Sequence, residues 1–426
     1  LTASESPLSD RLPADDHPAW VASLPWAAEQ VLVADPALPI DAPLAAAMAA
    51  AAARGGGTVR IPAGTWQVDD DVRIPSGVVL RGGAGDPPAT RLEFPRYVFA
   101  TTGEGTPIAT AFKGIVLADA LGGHDAGVLD LDLTHAHIAL GTAADLGARI
   151  AAGTAPRRLL VAGCRLRFAA VPDPAIPMAT RPGDDAPFQH PWQRWTHRHA
   201  AAIAVWAGGD VLIAGNHLPI DASANVLQRG YRLAAACPEG QWTAEAKRLA
   251  MLERDIVFDY DNRPGIAVNH VSAGRQLDVW TQALEPKPAA TATGIVIAAN
   301  HIAGTGGGGI RVAGDGARIS GNDIVSPPGI VRPTARGYQL DRFSNNIRAI
   351  ELRGWRWVVV GNTYAVHSNL AEGGGRYNDG EGIMHEAWEN VGVRDGVIRG
   401  NRDNAYICLW RVPIDGLRIE DNTVDA

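Results

Sequence analysis

Lysine is nearly absent. Of 38 basic residues only Lys113, Lys247 and Lys287 are lysines, and 46 acidic groups give a net charge of −8. There is no basic stripe and no interleaving of cations with aromatics, which argues against nucleic acid as a partner. Charged residues make up 20% of the chain, below the roughly 25% of a typical soluble domain, so small polar side chains must tile much of the surface. Cysteine is scarce as well: Cys164, Cys237 and Cys408 are odd in number and far apart, which speaks against a disulfide framework and a zinc site. Long hydrophobic runs are missing, and "LAAAMAAAAA" is too short to span a bilayer, so no membrane partner is expected. The opening "LTASESPLSD" has no initiating Met; the expectation is an extracytoplasmic protein, periplasmic or secreted, with its export signal removed.

Turn formers are abundant, with 48 glycines and 29 prolines. A chain of 426 residues holds two or three ordinary domains or one elongated repeat domain. A recurring phrase decides between them. It reads "VLIAGNHL" at 211–218, "IVIAANHI" at 295–302, "ARISGNDI" at 317–324, "VVVGNTYA" at 358–365, "GVIRGNRD" at 396–403 and "LRIEDNTV" at 417–424. A variant, "LLVAGCRL" at 159–166, has Cys164 in the Asn place. Each is an alternating apolar run followed by Gly, Ala or Asp and then Asn. The asparagines fall at 216, 300, 322, 362, 401 and 422, with gaps of 84, 22, 40, 39 and 21. The spacing predicts a repeat of about 20–25 residues carrying insertions. Alternation gives strands, and Gly-Asn gives tight turns that tolerate left-handed φ. One such unit cannot bury its own apolar face, but stacked coils can, with the turn asparagines forming a ladder. This is the logic of a parallel β-helix.

The N-terminal third reads as a helix, "LPIDAPLAAAMAAAAARGGG", with Asp41 as N-cap and Gly55 as stop. Short strands follow in "TVRIPAGTWQVDDDVRIPSGVVLRGGAG", with "TRLEF" after them. This succession resembles the opening of the pectate-lyase-like superfamily of right-handed parallel β-helix carbohydrate-active proteins. The resemblance implies a single-stranded right-handed β-helix whose open end is plugged by the N-terminal helix. It also implies a poly- or oligosaccharide as ligand, and it leaves the activity open, because the superfamily holds lyases, hydrolases, transferases, epimerases and phage tailspikes. A homotrimer is compatible with it. Residues 1–40 are read as an N-terminal extension. Residues 41–426 are read as the β-helix, with capping helix 41–54 and inserted loops about 173–200 and 221–262. The second insertion includes "TAEAKRLAMLER" (243–254), which reads as a helix capped by Thr243.

The coils register on an isoleucine that opens one strand in each: Ile203, Ile266, Ile310, Ile350, Ile383 and Ile407. If that residue points inward, positions one and three later point outward. The outward column at the third position is Trp206, Asn269, Ala313, Arg353, Glu386 and Trp410, and beyond the preceding turn stand His199, Asn262, Asn346, Asp379 and Asp403. Trp206 and Trp410 are expected to stack on sugar rings, and His199, Asp261, Arg263, Asn269 and Arg353 to orient substrate.

The richest stretch is "YNDGEGIMHE" (377–386). Cleavage of a glycosidic bond needs a carboxylic acid for the leaving oxygen and a carboxylate as base or nucleophile, about 5–9.5 Å apart. Asp379 and Glu381, two residues apart, span about 6.5–7 Å in an extended chain, and Glu386 lies in the outward column. These three are the expected catalytic group, and His385 is expected to face the core. Scarcity of lysine disfavours elimination with a lysine base. The reading is therefore an enzyme of glycoside hydrolase or glycosyl-transfer type that requires neither metal nor cofactor. The alternatives are a polysaccharide lyase with an Arg or Tyr base and calcium on the same carboxylates, or a non-catalytic glycan-binding β-helix.

Overall fold

The computed structural model describes residues 7–95, 99–101, 107–109, 113–167, 201–219, 265–269, 291–303, 309–325, 331–334, 337–340, 348–365, 381–386, 393–403, 406–410 and 414–424. Three long sheets run through them. The first has eleven strands, from Glu29–Val31 to Arg418–Glu420; the second has ten, from Gly64–Gln67 to Thr423–Val424. The third has nine, from Val72–Ile74 to Tyr406–Trp410. Within these sheets every strand pairs in parallel with strands of neighbouring coils. The chain is thus a right-handed parallel β-helix.

The bore is filled by stacked apolar columns. In the third sheet Ile115, Ile138, Ile203, Ile266, Ile310 and Ile350 lie in one register and are all fully buried. Ile383 and Ile407 extend the same register line. This is the isoleucine register predicted from the sequence. Each buried side chain of this size contributes about 1.5–3 kcal/mol.

The turn from the first sheet to the second carries the asparagine ladder. Asn216 Nδ2 donates to Asn300 Oδ1 at 2.9 Å, and the same 2.9 Å bond links Asn300 to Asn322, Asn322 to Asn362, Asn362 to Asn401 and Asn401 to Asn422. At the head of the ladder Asn216 Oδ1 accepts the backbone N–H of Cys164 at 3.0 Å. The residue before each Asn takes the left-handed conformation, as with Gly215 at φ 61° and Ala299 at φ 54°. This bend turns the chain from one sheet into the next, and Gly adopts it without steric cost.

Helix α1 (Asp41–Ala53) buries Leu44, Met48 and Ala51 against the first coil, where Val59 and Ile61 sit, and so closes the end of the bore. Its start differs from the sequence expectation. Ile40 holds the N-cap position, and the Asp41 carboxylate instead accepts the backbone N–H groups of Asp69 and Asp70 at 3.0 and 2.9 Å. The physical reason is reach: the next turn of the chain presents two free N–H groups to that carboxylate. Gly55 and Gly56, at φ 89° and 120°, end the helix.

The segment read as an N-terminal extension is partly structural. Glu29–Val31 already pairs with the strand Gly57–Arg60. Ahead of it Leu8, Leu12, Val21, Leu24 and Trp26 lie as a strap over the outward apolar face of the first sheet, against Val79, Leu129, Leu160 and Leu212. Two ion pairs pin the strap: Arg11 to Asp130 at 2.5 Å and Asp16 to Arg318 at 2.5 Å, with Ser320 Oγ donating to Asp16 at 2.6 Å. The inserted loops expected at 173–200 and 221–262, with the helix at 243–254, lie outside the described residues.

Candidate functional site on the third sheet

Period-two alternation sends the residue after each inward isoleucine to the outside of the helix. By register this outward column is Val116, Ala139, Ala204, Ala267, Arg311 and Glu351, and Met384 and Cys408 continue the same register line. Its first four members are small and apolar. Charge then enters on two adjacent coils. Arg311 Nη1 lies 3.2 Å from Glu351 Oε2, and both side chains are 1% exposed. Arg353, two residues along the same strand, brings its guanidinium to 3.9 Å from the other oxygen, Glu351 Oε1, and is 11% exposed. A carboxylate thus sits between two guanidinium groups on a face that points away from the bore yet is shut off from solvent. Burial of charge on that scale costs several kcal/mol per ion unless it is paired, so it is rarely tolerated without a role in structure or function.

The next coils along the sheet carry the expected catalytic strand. In Glu381–Glu386 the register pairs Glu381 with Arg348, and His385 with Leu352. Arg353 and Glu386 each follow that last pair, so they stand next in line on neighbouring coils. On the other side Glu381 is registered with Tyr406, His385 with Leu409 and Glu386 with Trp410, with a bulge between Glu381 and Ile383. His385 therefore occupies the column of Leu352 and Leu409. Backbone register thus brings Arg353, Glu386 and Trp410 onto successive coils. Asp379, Asp261, Arg263 and His199 lie outside the described residues.

Two expected substrate contacts are corrected. Trp206 faces away from the bore but is only 1% exposed. It packs with Ala143, Leu146, Ala155, Ala201, Ala204 and Ala267, under helix α2 (Leu146–Ala151), so its ring has no free face for a sugar. Asn269 is fully buried. Its Oδ1 accepts the N–H of Ala207 and its Nδ2 donates to the carbonyl of Ala207, both at 2.8 Å, while its own backbone sits at φ 55°. That side chain is consumed in holding a turn.

Arg311 and Glu351 were the residues that sequence reasoning missed. The signal was present in "GIRVA" and "AIELR", where a charge stands alone between two core-facing apolar residues. Among the described residues no group of three His, Cys, Asp or Glu side chains is placed to hold a metal ion, and no helix is long and apolar enough to cross a membrane.

No protein-family model matches the chain, and no curated protein matches it. Several solved structures do. The A-module of the Azotobacter vinelandii mannuronan C-5 epimerase is 10% identical, over 93% of this chain and 96% of that one, with a TM-score of 0.34. The exopolygalacturonase of Thermotoga maritima is 11% identical, over 93% and 91%, with a TM-score of 0.35. The tailspike protein of Escherichia coli bacteriophage HK620 is 13% identical, over 92% of this chain and 64% of that one, with a TM-score of 0.40. The β-helix of the present chain is defined by its own three sheets.

Proposed function

We propose that the protein is an extracytoplasmic carbohydrate-active enzyme that cleaves glycosidic bonds on the outward face of the third sheet. The observation that carries the reading is the enclosed Arg311–Glu351–Arg353 cluster, one coil before the strand that bears Glu381 and Glu386. In this reading Asp379 works with Glu381 or Glu386 as acid and base, one protonating the leaving oxygen and the other activating water or the sugar. Glu351 is a positioning residue: it fixes Arg311 and Arg353 as rigid donors at the floor of the site. Arg353, with Asp261 and Arg263, then orients the substrate, and Trp410 offers a ring to a sugar face.

The test is turnover by D379N, E381Q and E386Q variants on a panel of neutral and uronic-acid glycans, read as new reducing ends. The expected outcome is loss of turnover in at least two of the three with unchanged thermal unfolding. Full turnover in all three would sink the assignment.

A second reading keeps the site and changes the chemistry. The guanidinium groups of Arg311 and Arg353, held beside Glu351, suit the carboxylate of a uronic acid. In a lyase the products would carry a double bond and absorb in the ultraviolet, which hydrolysis products do not.

A further inference from the structure

The turn that carries the asparagine ladder also borders a groove of about 650 Å³, between the N-terminal strap and the second sheet. That volume is typical of a small-molecule site. The strap supplies an apolar wall in Leu8 and Leu12, and the second sheet supplies Arg165, His217 and His301 on three successive coils. The two imidazole rings meet edge to face at 4.8 Å, and His301 Nδ1 is tied to Asp323 at 2.7 Å. Other cations near this groove are already committed. Arg91 and Arg167 both reach Asp132, at 3.2 and 2.9 Å, and Arg11 is held by Asp130. Arg165 is different: among the described residues it has no carboxylate partner, and its Nε is buried without a hydrogen bond. Burial, then the neighbouring His301 and Arg165, pushes the His217 imidazole below its ordinary range; Arg167 adds to this and Asp86, on the groove rim, opposes it. The groove therefore disfavours a second positive charge on His217, and Arg165 is the lining cation that no carboxylate among the described residues pairs.

We propose that this groove is a second ligand site, taking a carboxylate-bearing sugar of the uronate type, with its carboxylate on Arg165 and His217. The apolar wall of Leu8 and Leu12 meets the ring, and Asp86 accepts from its hydroxyls. The site is separate from the third sheet, since it lies where the first sheet turns into the second. The sugar part of the assignment rests on the carbohydrate reading above; the anion part stands on the groove alone.

Calorimetric titration of the full chain with galacturonate, galactose and inorganic phosphate tests it. Galacturonate is expected to bind, and R165Q to weaken it about 10- to 100-fold, as for loss of a charge-assisted hydrogen bond. Galactose is expected to bind no better to wild type than to R165Q. Binding should tighten as pH falls from 7.5 to 5.5, because the bound anion favours proton uptake by His217, and H217F should abolish that dependence. Arg165 spends no side-chain bond within the described residues, so R165Q is expected to keep the wild-type melting temperature and turnover. Unchanged galacturonate affinity in both variants, or none in wild type, overturns the proposal. Phosphate bound as tightly as galacturonate overturns the uronate assignment. Loss of turnover in the third-sheet variants leaves these titrations unaffected, so failure of one site does not mimic failure of the other.

Discussion

Arg311 and Glu351 face each other on adjacent coils at 3.2 Å, each 1% exposed, while the isoleucine before each of them points into the bore. The outer surface of this solenoid therefore contains a place as dry as its core. Breaking a buried pair from one side leaves an uncompensated charge, a loss of about 3–5 kcal/mol, whereas replacing both partners by apolar residues is close to neutral. E351L is accordingly expected to lower the urea midpoint far more than the R311M/E351L double variant. Equal losses in the two would show that the pair contributes no such coupling.

Asn322 stands mid-ladder. Its Oδ1 accepts the N–H and the Nδ2 of Asn300, and its Nδ2 donates to the Ile297 carbonyl and to Asn362. Asn322→Ala would orphan several buried groups at about 1–3 kcal/mol each. Asn422, at the last rung, is bonded to Asn401 and to the Ile398 carbonyl and is only part-buried. Asn422→Ala should therefore cost less, which parallel chemical denaturation of the two variants will show.

Cys164 heads the same ladder with its thiol pushed up to about 12 by burial. The group is neutral when folded and ionises more readily when unfolded, so its contribution to stability is fully present below about pH 8.5. Between there and about pH 12 it declines by roughly 1.4 kcal/mol per pH unit. Cys164→Ala should flatten the alkaline limb of the stability profile. In native protein at pH 8 Cys164 should resist iodoacetamide and react only after unfolding, as followed by mass spectrometry.

The strap is pinned by Asp16 to Arg318 and Ser320. Asp16→Ala is expected to loosen it, exposing the apolar face of Val79, Leu160 and Leu212. Increased binding of a hydrophobic dye and faster proteolytic cleavage before residue 27 would report this. Wild-type values for both would mean that apolar packing alone holds the strap.

Much of the fold was legible because two local signals agreed. The isoleucines fixed which way each strand faces, and the Gly-Asn turns fixed where it bends; the register and the ladder followed. What lay on the outer face was less legible. Trp206 is outward by alternation, but helix α2, from an earlier coil, covers it, and alternation carries no information about such a partner. Glu351 was overlooked for a related reason: a charge in a strand reads as solvent-facing unless the strand's outer side is also enclosed. The strap was hidden because Leu8, Leu12 and Val21 have no periodicity of their own; the sheet beneath dictates their placement.

The ladder bonds have the same length whether the chain returns after 84 residues, as from Asn216 to Asn300, or after 22, as from Asn300 to Asn322. Closing the longer excursion costs only about 1.2 kcal/mol more in chain entropy. The coil stack therefore behaves as a ruler of fixed pitch, from which side branches can lengthen or shorten at small thermodynamic cost. New recognition surfaces can be grown from the turns without disturbing the positions of Arg311, Glu351 and Arg353 beneath them.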